Sequence, residues 1–166
     1  MVRRYSKYKS KIFISKWIGL KRGKEAVNLI NGCINSKTNF NFESTLSGRG
    51  IFNKIKYAKS NGFEVDIIYI AIDKKTSKLR INSRVLKGGH NISNEDVERR
   101  YDKSISNFIN NINIFDNVYF YENEESKHNL IFFIESGRLK YLKNSIPEWI
   151  EIKLDLKNML DKFKNE

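Results

Sequence analysis

Apolar residues along this chain recur at two different spacings, which predicts helices and strands in alternation. From Gly23 to Asn35 their spacing is that of one face of an amphipathic helix. From Thr38 to Glu43 apolar and polar residues alternate, which predicts a short strand. Helical spacing returns from Gly48 to Asn61, and the Asn61-Gly62 pair is a typical left-handed carboxy-terminal cap. The first part of the chain is therefore expected to run helix, strand, helix.

The most apolar segment, Phe63 to Ile72, has the character of a buried central strand. It is rich in β-branched residues and almost continuously hydrophobic, as a parallel strand covered on both faces must be. A right-handed crossover should place it parallel to the strand at Thr38 to Glu43 in one sheet. The carboxy ends of both strands would then face one crevice, which is where ligands bind in open α/β sheets.

The next predicted helix, Lys75 to Lys87, ends at the glycine pair Gly88-Gly89. We expect its residues Leu79, Val85 and Leu86 to face inward.

The remaining elements follow from capping and turn signals. Ser93 stands three residues ahead of the carboxylate of Asp96 and predicts the start of a long helix. Apolar residues then follow one face of that helix, namely Val97, Tyr101, Ile105, Phe108 and Ile112. We predict a strand from Asn117 to Tyr121, a hairpin that turns at Ser136-Gly137, and a last helix from Pro147 to about Phe163.

Composition bounds the class of protein. The 166 residues are 40% hydrophobic and 30% charged, which suits one ordinary domain, so we expect residues 1–166 to fold as a unit. No apolar segment is long enough to span a bilayer, and the basic start of the chain is not followed by the apolar run of a leader. We therefore expect a cytoplasmic protein without membrane contact. Lys and Arg outnumber Asp and Glu by 31 to 19, and this net charge of +12 favours an anionic partner.

Polar residues gather where the first predicted strand ends. Glu43, Ser44 and Thr45 follow directly on its apolar residues, so they would lie at the crevice. A carboxylate and hydroxyls there are suited to binding the hydroxyl groups of a small acceptor molecule. The structural alternative is a helix-capping cluster, and we expect Ser47 to be the cap of the following helix.

Two further stretches carry candidate chemistry. Arg84 precedes the two glycines, which can act as a hinge, and Arg99 and Arg100 follow them on the next predicted helix. From the residues alone, such arginines are typical of a solvated helix face. The third stretch ends the strand of Asn117 to Tyr121 with Asn123, which is equally typical of a turn.

In this order and spacing, the three stretches resemble the zeta toxin family of P-loop kinases, over about residues 23 to 123. The resemblance implies an α/β fold in which helices flank a parallel sheet in three layers, as in P-loop NTPases. It implies phosphoryl transfer from ATP or GTP, with Mg²⁺, to a hydroxyl of a small molecule such as UDP-N-acetylglucosamine. The residue roles that it implies are contacts of Arg84 and Arg100 with the phosphates, of Glu43, Ser44 and Thr45 with the acceptor, and of Asn123 with the nucleotide base.

The sequence departs from the family pattern at the phosphate-binding loop. That loop reads G-x-x-x-x-G-K followed by Ser or Thr, and the nearest stretch is Gly19 to Glu25. It has one residue too few between the glycines, and Glu25 replaces the metal-binding hydroxyl. The family's catalytic Asp should precede the first helix, yet Met1 to Arg22 contains no Asp. We therefore expect an amino-terminally truncated domain that lacks the first central strand and the loop, with impaired activity.

Three origins fit this expectation: a gene remnant, a kinase completed by another polypeptide, and a repurposed binding module. The resemblance also implies an antitoxin as a possible protein partner. A different class of function is a non-catalytic basic module that binds a protein or nucleic acid through its lysines. No stacking motif, zinc spacing or helix-turn-helix signature in the sequence favours nucleic acid. A kinase-like domain should gather Arg84 and Arg100 in one crevice, whereas a nucleic-acid binder should present a broad stripe of lysines.

Overall fold

The structure is a computed structural model that describes residues 11–14, 23–88, 92–124 and 127–164. Its strands are β1 (Lys11–Ile14), β2 (Phe40–Phe42), β3 (Glu64–Ala71), β4 (Asn117–Glu124), β5 (Lys127–Glu135) and β6 (Arg138–Leu142). Its helices are α1 (Gly23–Asn35), α2 (Gly50–Ser60), α3 (Lys74–Leu86), α4 (Asn94–Asn111), α5 (Glu148–Leu154) and α6 (Leu156–Asp161), and a single 3₁₀ turn, Ile112–Ile114, follows α4.

The strands form a six-stranded sheet in the order β2-β1-β3-β4-β5-β6. The strands β2, β1, β3 and β4 run parallel to their neighbours, whereas the hairpin of β5 and β6 continues the sheet in antiparallel fashion. The expected α/β fold with flanking helices is confirmed, but the sheet is mixed rather than wholly parallel. The hairpin turns at Ser136 and Gly137, whose φ angles of 50° and 75° suit the tight turns that connect paired strands.

The structure corrects the expected gap at the first central strand. The short strand β1 lies between β2 and β3, with Ile12 paired to Phe40 on one side and to Val65 on the other. Four residues suffice because both neighbouring strands offer backbone groups that must otherwise find other partners. Residues 15–22, which include most of the stretch compared with the phosphate-binding loop, lie outside the described residues. The expectation about that loop stays a prediction.

A stack of aromatic rings joins α4 to the sheet. The Tyr69 ring of β3 lies 4.4 Å from Phe108 of α4 and 5.3 Å from Phe120 of β4, between ring centroids. Phe120 in turn stacks on Phe132 of β5 at 4.8 Å, and Phe108, Phe120 and Phe132 are all fully buried. Each such ring contributes on the order of 2 to 3 kcal/mol by burial. The stack therefore holds α4 against β3 and β4.

The amino-terminal cap of α4 is the one that the sequence predicts. The Ser93 hydroxyl accepts a hydrogen bond from the Asp96 backbone N–H at 3.2 Å. Farther along, the Asn107 side-chain amide donates to the carbonyl of Leu46 at 2.8 Å. The helix thus holds the loop that follows β2 against the sheet.

Two details of the helices differ from expectation. The last helix is broken, because Asp155 takes the left-handed conformation (φ 45°, ψ 53°) between α5 and α6. Ser47 does not cap α2, whose first turn has no side-chain cap; its hydroxyl instead lies 2.8 Å from that of Thr45.

Candidate ligand-binding site

A cavity of about 450 Å³ lies at the carboxy ends of the parallel strands. Its walls come from the loop after β2, from β3, and from α3, α4 and α5. This is the crevice that the strand order predicts, since parallel strands end at the same edge of a sheet. Apolar residues such as Ile67, Val97 and Phe120 line its interior.

The polar lining of the cavity is cationic. Among the described lining residues are Arg80, Arg84, Arg100 and Lys153, and no Asp or Glu. Hydroxyl groups complete the polar lining, and they belong to Ser44, Thr45, Tyr69, Ser77, Tyr101 and Ser104. Cations and hydroxyls around an apolar interior are suited to an organic ligand that carries anionic groups.

Two of the arginines have their guanidinium groups available. Within the part of the chain that the structure describes, the guanidinium groups of Arg84 and Arg100 form no hydrogen bond or ion pair. Arg99, by contrast, lies outside the cavity lining and donates to the carboxylate of Asp96 at 2.6 Å. That hydrogen bond is the main reason that the pKa of Asp96 is lowered. Arg100 therefore lines the cavity, whereas its sequence neighbour Arg99 is paired with Asp96 outside it.

Helix α3 forms an exposed wall of the cavity, and its orientation corrects a prediction. Leu79 and Leu86, expected to face inward, are 60% and 89% exposed, and no residue of α3 is fully buried. The face turned to the cavity carries Ser77, Ile81 and Arg84, which are spaced as neighbours on one helix surface. The prediction was wrong because it assumed that α3 packs on the core, whereas α3 lies over the cavity.

Ion pairs connect α3 to α4. The ammonium group of Lys74 lies 3.1 Å from the carboxylate of Asp102 and 3.9 Å from that of Glu98. Lys78 donates a hydrogen bond to Glu98, and this contact is the main reason that the pKa of Glu98 is lowered. All these groups are partly exposed, and exposed ion pairs contribute little to stability. Helix α3 is therefore attached more loosely than the rest of the cavity wall.

The end of β2 brings Ser44 and Thr45, but not Glu43, into the cavity wall. The Ser44 hydroxyl accepts a hydrogen bond from the Leu46 backbone N–H at 3.0 Å and thereby closes a tight turn. Leu46 itself has a φ of 56°, a conformation that a non-glycine residue adopts only when its surroundings impose it. Glu43 does not line the cavity, and its oxygen Oε1 is buried. Ser44 and Thr45 thus line the same cavity as the arginines, whereas Glu43 does not.

Asn123 lies outside the cavity lining, at the carboxy end of β4. Its side-chain oxygen is 3.4 Å from a guanidinium nitrogen of Arg80, which does line the cavity. The structure therefore places Asn123 one contact away from the site. A contact with a nucleotide base stays a prediction.

Two tyrosines of the cavity are neutral hydrogen-bonding groups at physiological pH. Burial raises the pKa of Tyr69 to about 12, against a smaller opposing effect of its 3.0 Å hydrogen bond with Ser104. Burial is also the main reason that the pKa of Tyr101 is raised to about 12, and the charge of Asp73 adds to it.

Sequence reasoning missed several lining residues. Arg80 was detectable, because it precedes Arg84 by one helical turn and so shares its face. Lys153 and Trp149 of α5 had no such local signal, since only the folding of the chain brings α5 to the cavity.

The described residues show no cluster of side-chain ligands for a Mg²⁺ ion. Hard divalent cations prefer carboxylate and carbonyl oxygens. Among residues 11–14, 23–88, 92–124 and 127–164, no three His, Cys, Asp or Glu side chains are grouped to hold a metal ion. The cavity lining is cationic instead, and we derive no step through a metal ion.

In the part of the chain that the structure describes, no helix has the length and hydropathy needed to cross a membrane.

The chain combines a layered α/β fold with a cationic cavity at the carboxy ends of its parallel strands. Residues 23–131 match the profile of the zeta toxin family, and the chain belongs to that family, whose members are nucleotide-using kinases.

Two individual proteins are similar to this chain. An uncharacterized protein of Haemophilus influenzae is 42% identical over 80 residues, which are 48% of this chain and 57% of that protein. A solved structure from the PezAT chromosomal toxin-antitoxin system of Streptococcus pneumoniae is 13% identical, with a TM-score of 0.48. The superposition covers 85% of this chain and 61% of that one. The chain thus matches less than two thirds of the length of either protein.

Proposed function

We propose that this chain is a kinase-type phosphotransferase domain whose cavity binds the phosphate groups of a nucleotide or of a phosphorylated small molecule. The observation that carries the proposal is the gathering of Arg84 and Arg100 with Ser44 and Thr45 around one cavity. Membership of the zeta toxin family supports a nucleotide-using reaction. ATP or GTP is the proposed donor, and the hydroxyl of a small molecule such as UDP-N-acetylglucosamine is the proposed acceptor.

The arginines would act on the charge of the transferred group. Phosphoryl transfer spreads negative charge over the moving oxygens, and an arginine beside them is worth on the order of 10³ to 10⁵ in rate. Arg84 and Arg100 approach the cavity from two helices, so they can contact different phosphate oxygens.

The hydroxyls would orient the acceptor. Ser44 and Thr45 lie on a tight turn held by α4, so their positions are fixed before a ligand binds. Fixed groups cost little further entropy on binding, and correct orientation of two reactants lowers the barrier substantially. Glu43 does not line the cavity, so this proposal gives it no contact with the acceptor.

We further propose that the transferase activity is impaired relative to binding. Catalysis of phosphoryl transfer relies on a loop that positions the phosphates. The stretch Gly19 to Glu25 departs from the pattern of that loop in its spacing and in its last residue. A protein partner, either an antitoxin or a polypeptide that completes the loop, belongs to the same proposal.

A basic module that binds nucleic acid is less well supported. Arg84, Arg100 and Lys153 converge on a cavity with apolar walls, which a nucleic-acid backbone does not require.

Calorimetric titration of the purified chain with Mg²⁺-ATP and with UDP-N-acetylglucosamine tests the proposal. We expect saturable binding that weakens at least tenfold in Arg84→Ala and in Arg100→Ala. Arg99→Ala is the matched control, because it removes the same charge one residue away from Arg100 but outside the cavity lining. If a folded wild-type chain binds neither ligand, the proposal is wrong.

A further inference from the structure

Helix α5 contributes to the cavity although it lies outside the segment that matches the family. The family match ends at residue 131, whereas α5 spans Glu148–Leu154. Trp149, Lys153 and Leu154 all line the cavity. The site of this chain therefore includes residues that family membership does not explain.

Burial fixes the orientation of α5. Ile150 and Leu154, one helical turn apart, are 0% and 2% exposed and belong to the hydrophobic core. Trp149 and Lys153 share the same spacing and lie on the adjoining face of the helix, so both are directed to the cavity together. The helix ends at Leu154, and the next residue, Asp155, has a left-handed backbone conformation.

The two side chains have complementary chemistry. Trp149 is half-buried and packs against the core, so its ring is held in place beside the cavity. Lys153 is exposed, and its ammonium group forms no hydrogen bond or ion pair in the part of the chain that the structure describes. An immobile aromatic ring next to an available ammonium group is suited to a flat or apolar organic part with a neighbouring anionic group.

Lys153 adds a further positive charge to a cavity that is already cationic. Arginines of α3 and α4 line the same cavity, and no described lining residue carries a negative charge. Cations that converge in this way repel each other unless an anion lies between them. Because Lys153 comes from a third helix, it can contact an anionic group that the arginines do not reach.

We infer that Trp149 and Lys153 are specificity-determining residues of the cavity: Lys153 pairs with an anionic group of the bound ligand, and Trp149 packs against the ligand's organic part. This inference rests on the proposed function, in that it takes the ligand to be phosphorylated.

Two probes separate the two roles, namely ADP, which has an organic part, and inorganic pyrophosphate, which has none. We expect Lys153→Ala to weaken the binding of both probes about tenfold in calorimetric titrations, and Lys153→Arg to restore most of the affinity. Trp149→Leu should weaken the binding of ADP about tenfold and leave pyrophosphate unchanged. Trp149→Phe keeps an aromatic ring and tests the same role if the leucine variant is poorly folded. Lys157→Ala is the matched control, because Lys157 is exposed on α6 and does not line the cavity.

The outcomes distinguish this inference from the function on which it rests. If Lys153→Ala binds both probes like the wild type while Arg84→Ala and Arg100→Ala lose binding, the role of Lys153 is wrong and the proposed function stands. If Trp149→Leu and Trp149→Phe bind ADP normally, the role of Trp149 is wrong. If the folded wild-type chain binds Mg²⁺-ATP or UDP-N-acetylglucosamine but neither of these probes, the inference is wrong and the proposed function stands. If it binds none of the four ligands, both proposals are wrong. Circular dichroism of each variant verifies the fold.

Discussion

The two walls of the cavity are held in place by different forces. On one side, β3 and α4 are joined by buried rings, of which Phe108 and Phe120 are 0% and 1% exposed. On the other side, α3 has no fully buried residue and is tied to α4 by exposed ion pairs of Lys74 and Lys78. Burial of rings stabilises by several kcal/mol, whereas exposed ion pairs contribute little. The α4 wall should therefore stay fixed while α3 opens and closes.

This difference bears on how a ligand enters. A helix with few buried contacts can separate locally at a free energy far below that of global unfolding. Gly88, two residues beyond the end of α3, has a φ of 83°, a conformation that favours glycine and suits a hinge. Because Arg84 lies on α3 and Arg100 on α4, closure of α3 would bring one arginine onto a ligand that already contacts the other.

The largest effect is expected where the rings are buried. Phe108→Ala removes a ring that contacts both Tyr69 and Phe120, and should lower the free energy of unfolding by about 3 to 5 kcal/mol. Leu79→Ala on α3 is the control; since Leu79 is 60% exposed, we expect a change within about 0.5 kcal/mol. Urea unfolding followed by circular dichroism measures both. Similar losses in the two variants would show that α3 is as firmly packed as α4.

A smaller, local effect is expected where charges hold α3. Glu98→Gln removes the carboxylate shared by Lys74 and Lys78. We expect backbone amides of α3 to exchange with deuterium several-fold faster, while those of β3 remain protected, because only the ion-pair contact is lost. Glu151→Gln, the same change on the exposed side of α5, should leave the exchange of α3 unaltered.

The effect of Glu98→Gln should depend on pH, because the pKa of Glu98 is lowered in the folded state. A carboxylate whose pKa is lower in the folded state than its ordinary 4.5 stabilises the fold at higher pH. The contribution is lost as the pH falls below 4.5 and through the lowered pKa. The difference between wild type and Glu98→Gln in the exchange rate of the α3 amides should therefore disappear in acid. A difference that persists at pH 2 would mean that α3 is held by something other than these charges.

The sequence predicted those parts of the fold that depend on local pattern. The bounds of α1, the cap at Ser93 and the turn at Ser136 each follow from neighbouring residues, and all are confirmed. The strand β1 was missed because its apolar residues, Ile12 to Ile14, form a run too short to have a detectable period. Its place depends on pairing with distant strands, which local pattern does not encode.

The candidate site divides in the same way. Ser44, Thr45, Arg84 and Arg100 were found from the order of motifs, and the structure brings them to one cavity. The inward face of α3 was predicted wrongly, because leucines usually face a core and the sequence does not reveal that α3 covers a cavity. Lys153 was not predictable from local pattern either, because the hairpin of β5 and β6 separates α5 in sequence from the other elements that line the cavity.

The smallest effect lies on the alkaline side and concerns the α4 wall. The pKa values of Tyr69 and Tyr101 are raised from 10.0 to about 12, chiefly by burial. A group with a raised pKa stabilises the fold fully below its unfolded pKa and ceases to do so as the pH rises through the folded value. We expect the urea midpoint to fall between about pH 10 and pH 12, and to fall less in Tyr101→Phe, which cannot ionise. Lysines titrate in this range too, so the comparison with Tyr101→Phe isolates the tyrosine. Equal slopes in both proteins would show that Tyr101 ionises as readily in the folded as in the unfolded state, and that the α4 wall is open to water there.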